Sequence, residues 1–376
     1  MANITVLGCG MVGSCIAADL SNEHNVSVID YNRQNLDKLA GKYKVNALQN
    51  DLSDLSIVKD VVNDADLVVC AVPGFMGFNT IKAIIEAGKN VVDISFFPED
   101  SLLLDDLAKQ NNLTVIVDCG VAPGMSNMVI GYHHKRMQVD NYKCYVGGLP
   151  VYRDYPFEYK APFSPIDVLE EYTRPARYIE NGNILIKPAL SDPELLNFPE
   201  IGTLEAFNSD GLRSLLFTIN CPNMIEKTMR YPGHINYIRA MKEAGFFSNE
   251  EIEIAGTKIK PMEFTSKILF DKWKLNDNDD EFTIMRMIVE GIENNQKVRY
   301  TYDLLDRKDK KTGFSSMSRT TGYACTAAVN LFINNKFTRK GICPPEFIAE
   351  EDGCFEDMIS YMNERGVIYN VNRIMG

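Results

Sequence analysis

Three glycines near the N-terminus have the spacing of a phosphate cradle. Gly8-Cys9-Gly10-Met11-Val12-Gly13 fits G-x-G-x-x-G, directly behind the apolar run Ile4–Leu7 and ahead of a helical pattern over Met11–Leu20. In that setting the first glycine makes a tight turn. The second lets backbone approach a pyrophosphate, and the third lets helix pack closely on strand. The first helical turn, with Met11 and Val12, offers unpaired N–H groups and a positive dipole end to phosphates. Asp30 ends the next apolar run, where a carboxylate accepts the hydroxyls of an adenosine ribose. The same carboxylate repels a 2′-phosphate, so the expected cofactor is NAD, with NADP ranked below it. Arg33 is the nearest offsetting cation and is expected to stack on adenine or face solvent. FAD shares the fingerprint, but no second flavin signature accompanies it. Asp51, after the third strand-like run, is placed either to reach the adenine edge or to serve as a turn acceptor.

Three later segments sit where such a fold places its ligand, at the carboxyl ends of strands. They are Ala71-Val72-Pro73, the stretch Asp93–Phe96 with Ser95, and the stretch from Asp118 to Gly124. The nicotinamide is expected near the last two, each of which begins with an aspartate. Asp93 and Asp118 are therefore the candidate catalytic carboxylates, with a structural cap or turn as the alternative for either.

The elements that must hold these residues are legible as six repeats of strand and helix over the first 120 residues. DLVVCAV (66–72) and NVVDI (90–94) read as strands buried on both faces, which means a parallel sheet covered by helices. Gly88 closes the helix Met76–Ala87. Right-handed crossovers then give an α/β, doubly wound Rossmann domain over residues 1–124. Beyond a helix at Ser126–Met137 the pattern changes to longer strands, such as Tyr142–Val146, Gly182–Lys187, Thr203–Phe207 and Lys297–Asp303, with more aromatics and prolines. An α+β substrate and dimerisation domain is expected over 125–310. The small-residue helix Thr320–Asn334 places the segment 311–376 back on the first domain.

Composition excludes several classes. The 376 residues carry 39 Lys and Arg against 51 Asp and Glu, a net charge of −12, which argues against a nucleic-acid partner. The densest acidic stretch, Asn276–Glu281, reads as a solvated turn. No run approaches the roughly 18 apolar residues of a membrane helix, and no signal peptide is expected. Nine cysteines without a C-x-x-C pair read as reduced thiols in a cytoplasmic protein. Four scattered histidines give no metal-binding pattern.

Several islands resemble the saccharopine dehydrogenase family, and within it the lysine 6-dehydrogenase-like branch. They are DCGVAPGMSNM (118–128), VGGLPV (146–151), YKAPFSPIDVLEEYTRPARY (159–178), LEAFNSDGLRSLLF (204–217), EKTMRYPGHI (226–235) and GFSSMSRTTGYA (313–324). They run in family order across nearly the whole chain. GVAPGMSN sits closer to the lysine branch than to the GLDPG typical of glutamate-forming saccharopine dehydrogenases. The resemblance implies NAD(P)-dependent chemistry on a carbon–nitrogen bond and a homodimer formed through the second domain. Cys119 stands where relatives carry a small, unreactive residue and is not read as a nucleophile.

That chemistry needs an amino acid held by its carboxylate, which suits an arginine fork. Arg213 and Arg230 are the candidates because SDGLR and RYPGH line the substrate cleft in the family. Arg174 and Arg177 are read as braces. His234 and Tyr159 are further candidate substrate contacts, each with a structural alternative, and Tyr172 and Tyr231 either line the pocket or fill the core. The expected reaction is oxidative deamination of L-lysine at its 6-amino group, giving ammonia and a semialdehyde that cyclises to piperideine carboxylate. Neutralising the substrate amine at pH 7 costs about 4.6 kcal/mol, which a buried site and a general base, Asp93 or Asp118, offset. The alternatives are a dehydrogenase of a larger C–N adduct such as saccharopine, needing more cationic groups, and a non-catalytic NAD-binding protein.

Overall fold

The apolar runs of the first 120 residues become six short parallel strands, and the chain adds a seventh from its far end. The computed structural model describes residues 1–162, 165–276 and 278–376. Phe163 and Ser164 of the 159–178 island and Asp277 of the acidic stretch lie outside the described residues. Two compact units are formed. One comprises Met1–Gln138 and Met317–Tyr369, the other Val139–Ser316 and Asn370–Gly376.

In the first unit the strands are β1 (Asn3–Leu7), β2 (Asn25–Asp30), β3 (Asn46–Gln49), β4 (Leu67–Cys70), β5 (Val91–Asp93) and β6 (Thr114–Ile116). The sheet order is Gly341–Cys343, β6, β5, β4, β1, β2, β3. The chain winds outward from β1 to β3, then crosses back to β4 and winds the other way. The switch between β1 and β4 is where a doubly wound sheet opens for a ligand. Val6, Val68, Val69 and Val92 are fully buried, each stabilising the sheet by about 1.5–3 kcal/mol. The helices are α1 (Met11–Leu20), α2 (Arg33–Ala40), α3 (Leu55–Val61), α4 (Gly74–Glu86), α5 (Asp105–Gln110) and α6 (Met125–His134). Asn32 and Asp54 cap α2 and α3 by accepting backbone N–H bonds. Gly88, in the left-handed conformation, follows the last turn of α4.

The boundaries differ from those read in the sequence. Helix α6 belongs to the first unit rather than opening the second, because its apolar face is buried there. The second unit runs on to Ser316. The segment from Met317 joins the first unit, and it brings a strand as well as helices. The chain's final strand, Tyr369–Met375, then leaves it for the sheet of the second unit. The apolar–polar alternation of YNVN breaks at Arg373, so its periodic signal is only four residues long.

Asp19 explains how the returning segment is held. Its carboxylate, on α1, accepts hydrogen bonds from Arg365 Nε at 2.8 and 2.9 Å, from Tyr361 OH at 2.8 Å and from Thr326 Oγ1 at 2.7 Å. Thr326 lies in the helix Ser316–Ile333 and Tyr361 in the helix Cys354–Glu364. One carboxylate thus ties three helices together.

The second unit is built on a mixed sheet of nine strands among the described residues. Its main path runs Glu194–Phe198, Gly202–Asn208, Asn223–Arg230, Gln138–Pro150, Glu281–Glu293, Gln296–Arg307 and Tyr369–Met375. Asn223–Arg230 and Gln138–Pro150 pair in parallel, while the hairpin Glu281–Arg307 is antiparallel. An aromatic-rich core including Tyr159, Tyr172, Phe207 and Trp273 covers one side. Among the described residues no helix is long and apolar enough to cross a membrane.

Arg365→Ala removes the charged donor from the Asp19 cluster and leaves a partly buried carboxylate under-satisfied. A loss of about 2 kcal/mol in unfolding free energy is expected, measured by urea titration with far-UV circular dichroism. An unchanged midpoint would mean that the cluster does not hold the returning segment.

Candidate functional site

The glycine-rich turn is fixed from below by β2. Gly8 N–H donates to Ile29 O at 2.8 Å, and Cys9 N–H donates to Asp30 Oδ2 at 2.6 Å. Gly8 has φ +108, and a Cβ there would lie 2.4 Å from Ala71 O. A Cβ on Gly13 would lie 2.2 Å from Gly8 O. Both positions are closed to a side chain by backbone. Gly10 is the opposite case: it is exposed, and nothing lies within 4 Å of where its Cβ would be. No side chain caps α1, so its first N–H groups, at Met11, Val12 and Gly13, face the open side of the turn. This is an anion cradle of the size and place that a dinucleotide pyrophosphate fits.

Asp30 is nearly buried, and its Oδ1 accepts the Asn32 N–H at 2.7 Å. A carboxylate has about four acceptor positions, so capacity for a ribose hydroxyl remains beside these two bonds. Arg33 forms an exposed ion pair with Asp37 at 2.9 Å. Asp51 is exposed, and its Oδ1 accepts the Ser53 N–H at 3.0 Å. The turn-acceptor alternative describes this contact, and the bond holds the Asp51 carboxyl below the usual range. Ala71, Val72 and Pro73 lead from β4 into α4, with Ala71 against Gly8. Two residues that sequence reasoning missed stand nearby in the chain order of the tips. Tyr31, after β2, is 74% exposed, and Phe75, after β4, is 66% exposed. Large apolar groups left in water at strand tips are the signal, and only the solvent exposure reveals it.

Asp93 ends β5 and is completely buried. Its Oδ1 accepts the Ser95 hydroxyl at 2.5 Å. Its Oδ2 is buried with no N–H or O–H donor among the described residues, the neighbouring Cys70 thiol being a weak donor at most. Burial pushes this carboxyl up to about 7, against the Ser95 bonds, which pull it down. Asp118 adds a like charge that raises it further. Ser95 was expected at the cofactor, but the structure buries its hydroxyl against Asp93. Asp118 is buried with φ +54, a left-handed conformation uncommon outside glycine. The Cys119 N–H donates to Asp93 O at 2.8 Å, joining the two tips. The loop is braced from the returning segment: Gly124 N–H donates to Asn127 Oδ1, and Asn127 Nδ2 donates to Glu346 Oε2 at 3.1 Å. Burial raises the Cys119 thiol far above its usual value, which keeps it protonated and unreactive.

The second unit gathers a different set. Arg230, at the end of its strand, is almost fully buried. It pairs with Glu171 at 2.6 Å, and its other donors reach Tyr172 OH at 3.0 Å, Met229 O at 3.0 Å and Tyr159 OH at 3.4 Å. A guanidinium so engaged braces the core, which is where the structure places the Arg230 expected as a carboxylate clamp. Tyr159 is buried beneath it, in the core rather than on a pocket wall. His234 is also interior. Its Nδ1 lies 2.8 Å from Phe157 O and must donate, so Nε2 accepts the Tyr172 hydroxyl at 3.0 Å. Burial and the Arg230 charge lower its pKa to about 3, so the structure places His234 as a neutral, interior histidine. Arg177 grips Asp210 with two bonds of 2.9 and 2.8 Å, and Arg174 pairs with Glu170. Arg213 is buried with φ +52, a strained backbone of the kind that clusters at ligand sites. Among the described residues no group of His, Cys, Asp and Glu could hold a metal ion.

Comparison with known proteins agrees with this architecture. The Saccharopine dehydrogenase NADP binding domain family matches residues 4–116, and the Saccharopine dehydrogenase C-terminal domain family matches residues 120–367. The chain belongs to the saccharopine dehydrogenase family. Carboxyaminopropylagmatine dehydrogenase of Synechocystis sp. is 24% identical, with 91% of this chain and 92% of that protein covered. Mouse mitochondrial alpha-aminoadipic semialdehyde synthase is 22% identical over 98% of this chain, which spans about half (47%) of that relative. Saccharopine dehydrogenase [NADP(+), L-glutamate-forming] of Saccharomyces cerevisiae is 24% identical over 67% of this chain and 60% of that one. Among solved structures, apo saccharopine dehydrogenase (L-Glu forming) from Saccharomyces cerevisiae superposes with a TM-score of 0.81 at 19% identity, covering 100% of both chains. Homospermidine synthase from Legionella pneumophila, in complex with NAD, gives 0.70 at 12% identity, covering 99% of this chain and 91% of that one. The chain is therefore a saccharopine dehydrogenase-family oxidoreductase with an N-terminal nicotinamide-dinucleotide domain.

His234 predicts a pH signature. Its folded pKa lies below the unfolded value of about 6.5, so its contribution to stability is present above that pH and is lost as pH falls toward 3. His234→Gln stays neutral and escapes this loss. Between pH 7 and pH 3 the variant's unfolding free energy should gain on the wild type by on the order of 4 kcal/mol. Parallel stability curves over that range would show that the imidazole titrates normally.

Proposed function

We propose that this chain is an NAD-dependent dehydrogenase that deaminates L-lysine at its 6-amino group. The products are ammonia and the semialdehyde, which closes on its own α-amine to piperideine carboxylate. The observation that carries the reading is Asp93, a buried carboxyl titrating near neutrality at the tip of β5. The cofactor, when bound, supplies the hydride acceptor. Asp93 takes the proton that the substrate ammonium must lose before its carbon can give up hydride. A base with a pKa near the working pH is both available and able to return the proton. Asp118, beside it, adds negative charge that draws a cationic amine. After oxidation, and once that proton has left for solvent, the same group, again a carboxylate, deprotonates the water that replaces ammonia.

NAD is favoured over NADP by charge. Asp30 ends β2, where an adenosine ribose would bind, and the neighbouring Arg33 is turned into an exposed ion pair with Asp37. The fungal relatives carry NADP(+) in their names, and this chain's second strand tip argues the other way. L-lysine is favoured over a multiply carboxylated adduct by the cation count: Arg230, Arg177 and Arg174 are each paired within the second unit. Arg213, on its strained loop, is our candidate for the single carboxylate. A second reading, oxidation of a larger C–N adduct, is favoured by the names of the relatives, including the cyanobacterial one aligned over nearly its whole length. The nine cysteines, all buried and outside disulfides, suit a reducing cytoplasm. The exposed Val371, Ile374 and Met375 on the last strand suit a homodimer through the second unit.

Absorbance at 340 nm tests both readings, with NAD or NADP against L-lysine, saccharopine and carboxyaminopropylagmatine. NADH formation with L-lysine alone is expected, rising in rate as pH climbs from neutral to alkaline. Asp93→Asn should lower kcat by roughly 10²–10⁴-fold while NAD still binds. Turnover confined to an adduct would move the substrate assignment to the second reading. Full activity in Asp93→Asn would remove Asp93 from the chemistry.

A further inference from the structure

Asp93 is held asymmetrically, and the asymmetry has an identifiable source. Ser95 directs its hydroxyl at Oδ1, and its backbone N–H reaches the same carboxylate. Oδ2 receives no comparable donor. A carboxyl protonates preferentially at the oxygen whose lone pairs are less engaged, because a strong donor to the other oxygen lowers that oxygen's basicity. Ser95 itself has no slack. It is buried, and α4 lies directly over it at Gly77. A Cβ at Gly77 would stand 2.3 Å from Ser95 Oγ, 2.9 Å from Ser95 Cβ and 2.8 Å from Phe97 Cδ1. The bare backbone at Gly77 therefore lets the helix close on the serine and leaves its hydroxyl one direction to point.

We propose that Ser95 is a positioning residue for Asp93: it pins Oδ1 so that Oδ2 alone exchanges the substrate proton, and the missing side chain at Gly77 makes room for the clamp. This rests on the reading of Asp93 as the base. In the step itself an N–H bond of the substrate ammonium breaks as an O–H bond forms at Oδ2, and the proton later leaves Oδ2 for solvent. The other ionisable groups facing Asp93 are Cys70 from β4, Asp118 and Cys119 from the loop after β6, and Cys325 from the helix Ser316–Ile333. The thiols are held neutral by burial, and Asp118 supplies the only nearby charge among them. Altering Ser95 also removes a hydrogen bond to the Cys70 thiol, which burial still holds neutral.

The test is the titration of Asp93 in the full-length, cofactor-free protein labelled with carboxyl-¹³C aspartate, its resonance assigned by its absence in Asp93→Asn. Ser95→Ala removes the donor that stabilises the ionised form. The Asp93 midpoint should rise by roughly one pH unit, and the acid limb of kcat/KM should move with it. Gly77→Ala, which keeps the serine but displaces its hydroxyl, should raise the midpoint in the same direction. An unchanged midpoint in both variants overturns the clamp. A midpoint that moves while the acid limb stays in place upholds the clamp and removes Asp93 as the base, so the two assignments fail separately.

Discussion

The hydrogen bond from the Cys9 N–H to Asp30 fixes the turn on which the first unit's chemistry depends. It joins the tip of β1 to the tip of β2, and the Gly8 N–H to Ile29 O bond doubles the link. With the turn held there, Gly13 can pack on Gly8 and Gly10 stays bare toward solvent. The start of α1 then points its N–H groups at the place a pyrophosphate would occupy. The same carboxylate sets the charge met by the ribose. The architecture of the turn and the cofactor selectivity proposed above thus rest on one side chain. The carboxyl ends of β4, β5 and β6 are brought level with this turn by the parallel sheet, which is what places Asp93 and Asp118 on the same edge.

Burial acts on two titratable groups in opposite senses. It raises Asp93 to about 7 by penalising its anion, and it lowers His234 to about 3 by penalising its cation. Asp93 therefore loses stability as pH rises from about 4 to 7, while His234 loses it as pH falls from about 6.5 to 3. The difference in use lies in the surroundings. His234 has both ring nitrogens engaged and is locked by Tyr172, which in turn accepts from Arg230. Asp93 keeps one oxygen without an N–H or O–H partner. A satisfied buried group is structure. An unsatisfied one carries an energetic strain that a ligand can relieve.

Legibility in the sequence followed the range of the interaction. The glycine turn, Asp30 and the strand tips depend on contacts within one βα unit, and spacing alone located them. The helix cap at Gly88 is equally local. The second unit resisted because its partners are far apart in the chain. Arg230 meets Glu171 and Tyr172 across some sixty residues, so no local pattern distinguishes a strut from a clamp. In the strand Tyr369–Met375 the alternation of its first four residues breaks at Arg373, and Asn223–Arg230 buries Glu226, Lys227 and Arg230 among apolar residues, which hides the pattern of a buried strand. Ser95 was visible as a polar residue at a strand tip, but the closeness of Gly77 that directs it exists only in three dimensions.

Calorimetric titration of the unaltered protein with NAD and with NADP, at one salt concentration, tests the central claim most directly. The Asp30 account predicts NAD binding at least about tenfold tighter, a difference of roughly 1.4 kcal/mol, with the gap narrowing as salt screens the repulsion. NADP binding as tightly as NAD, or more tightly, would contradict it.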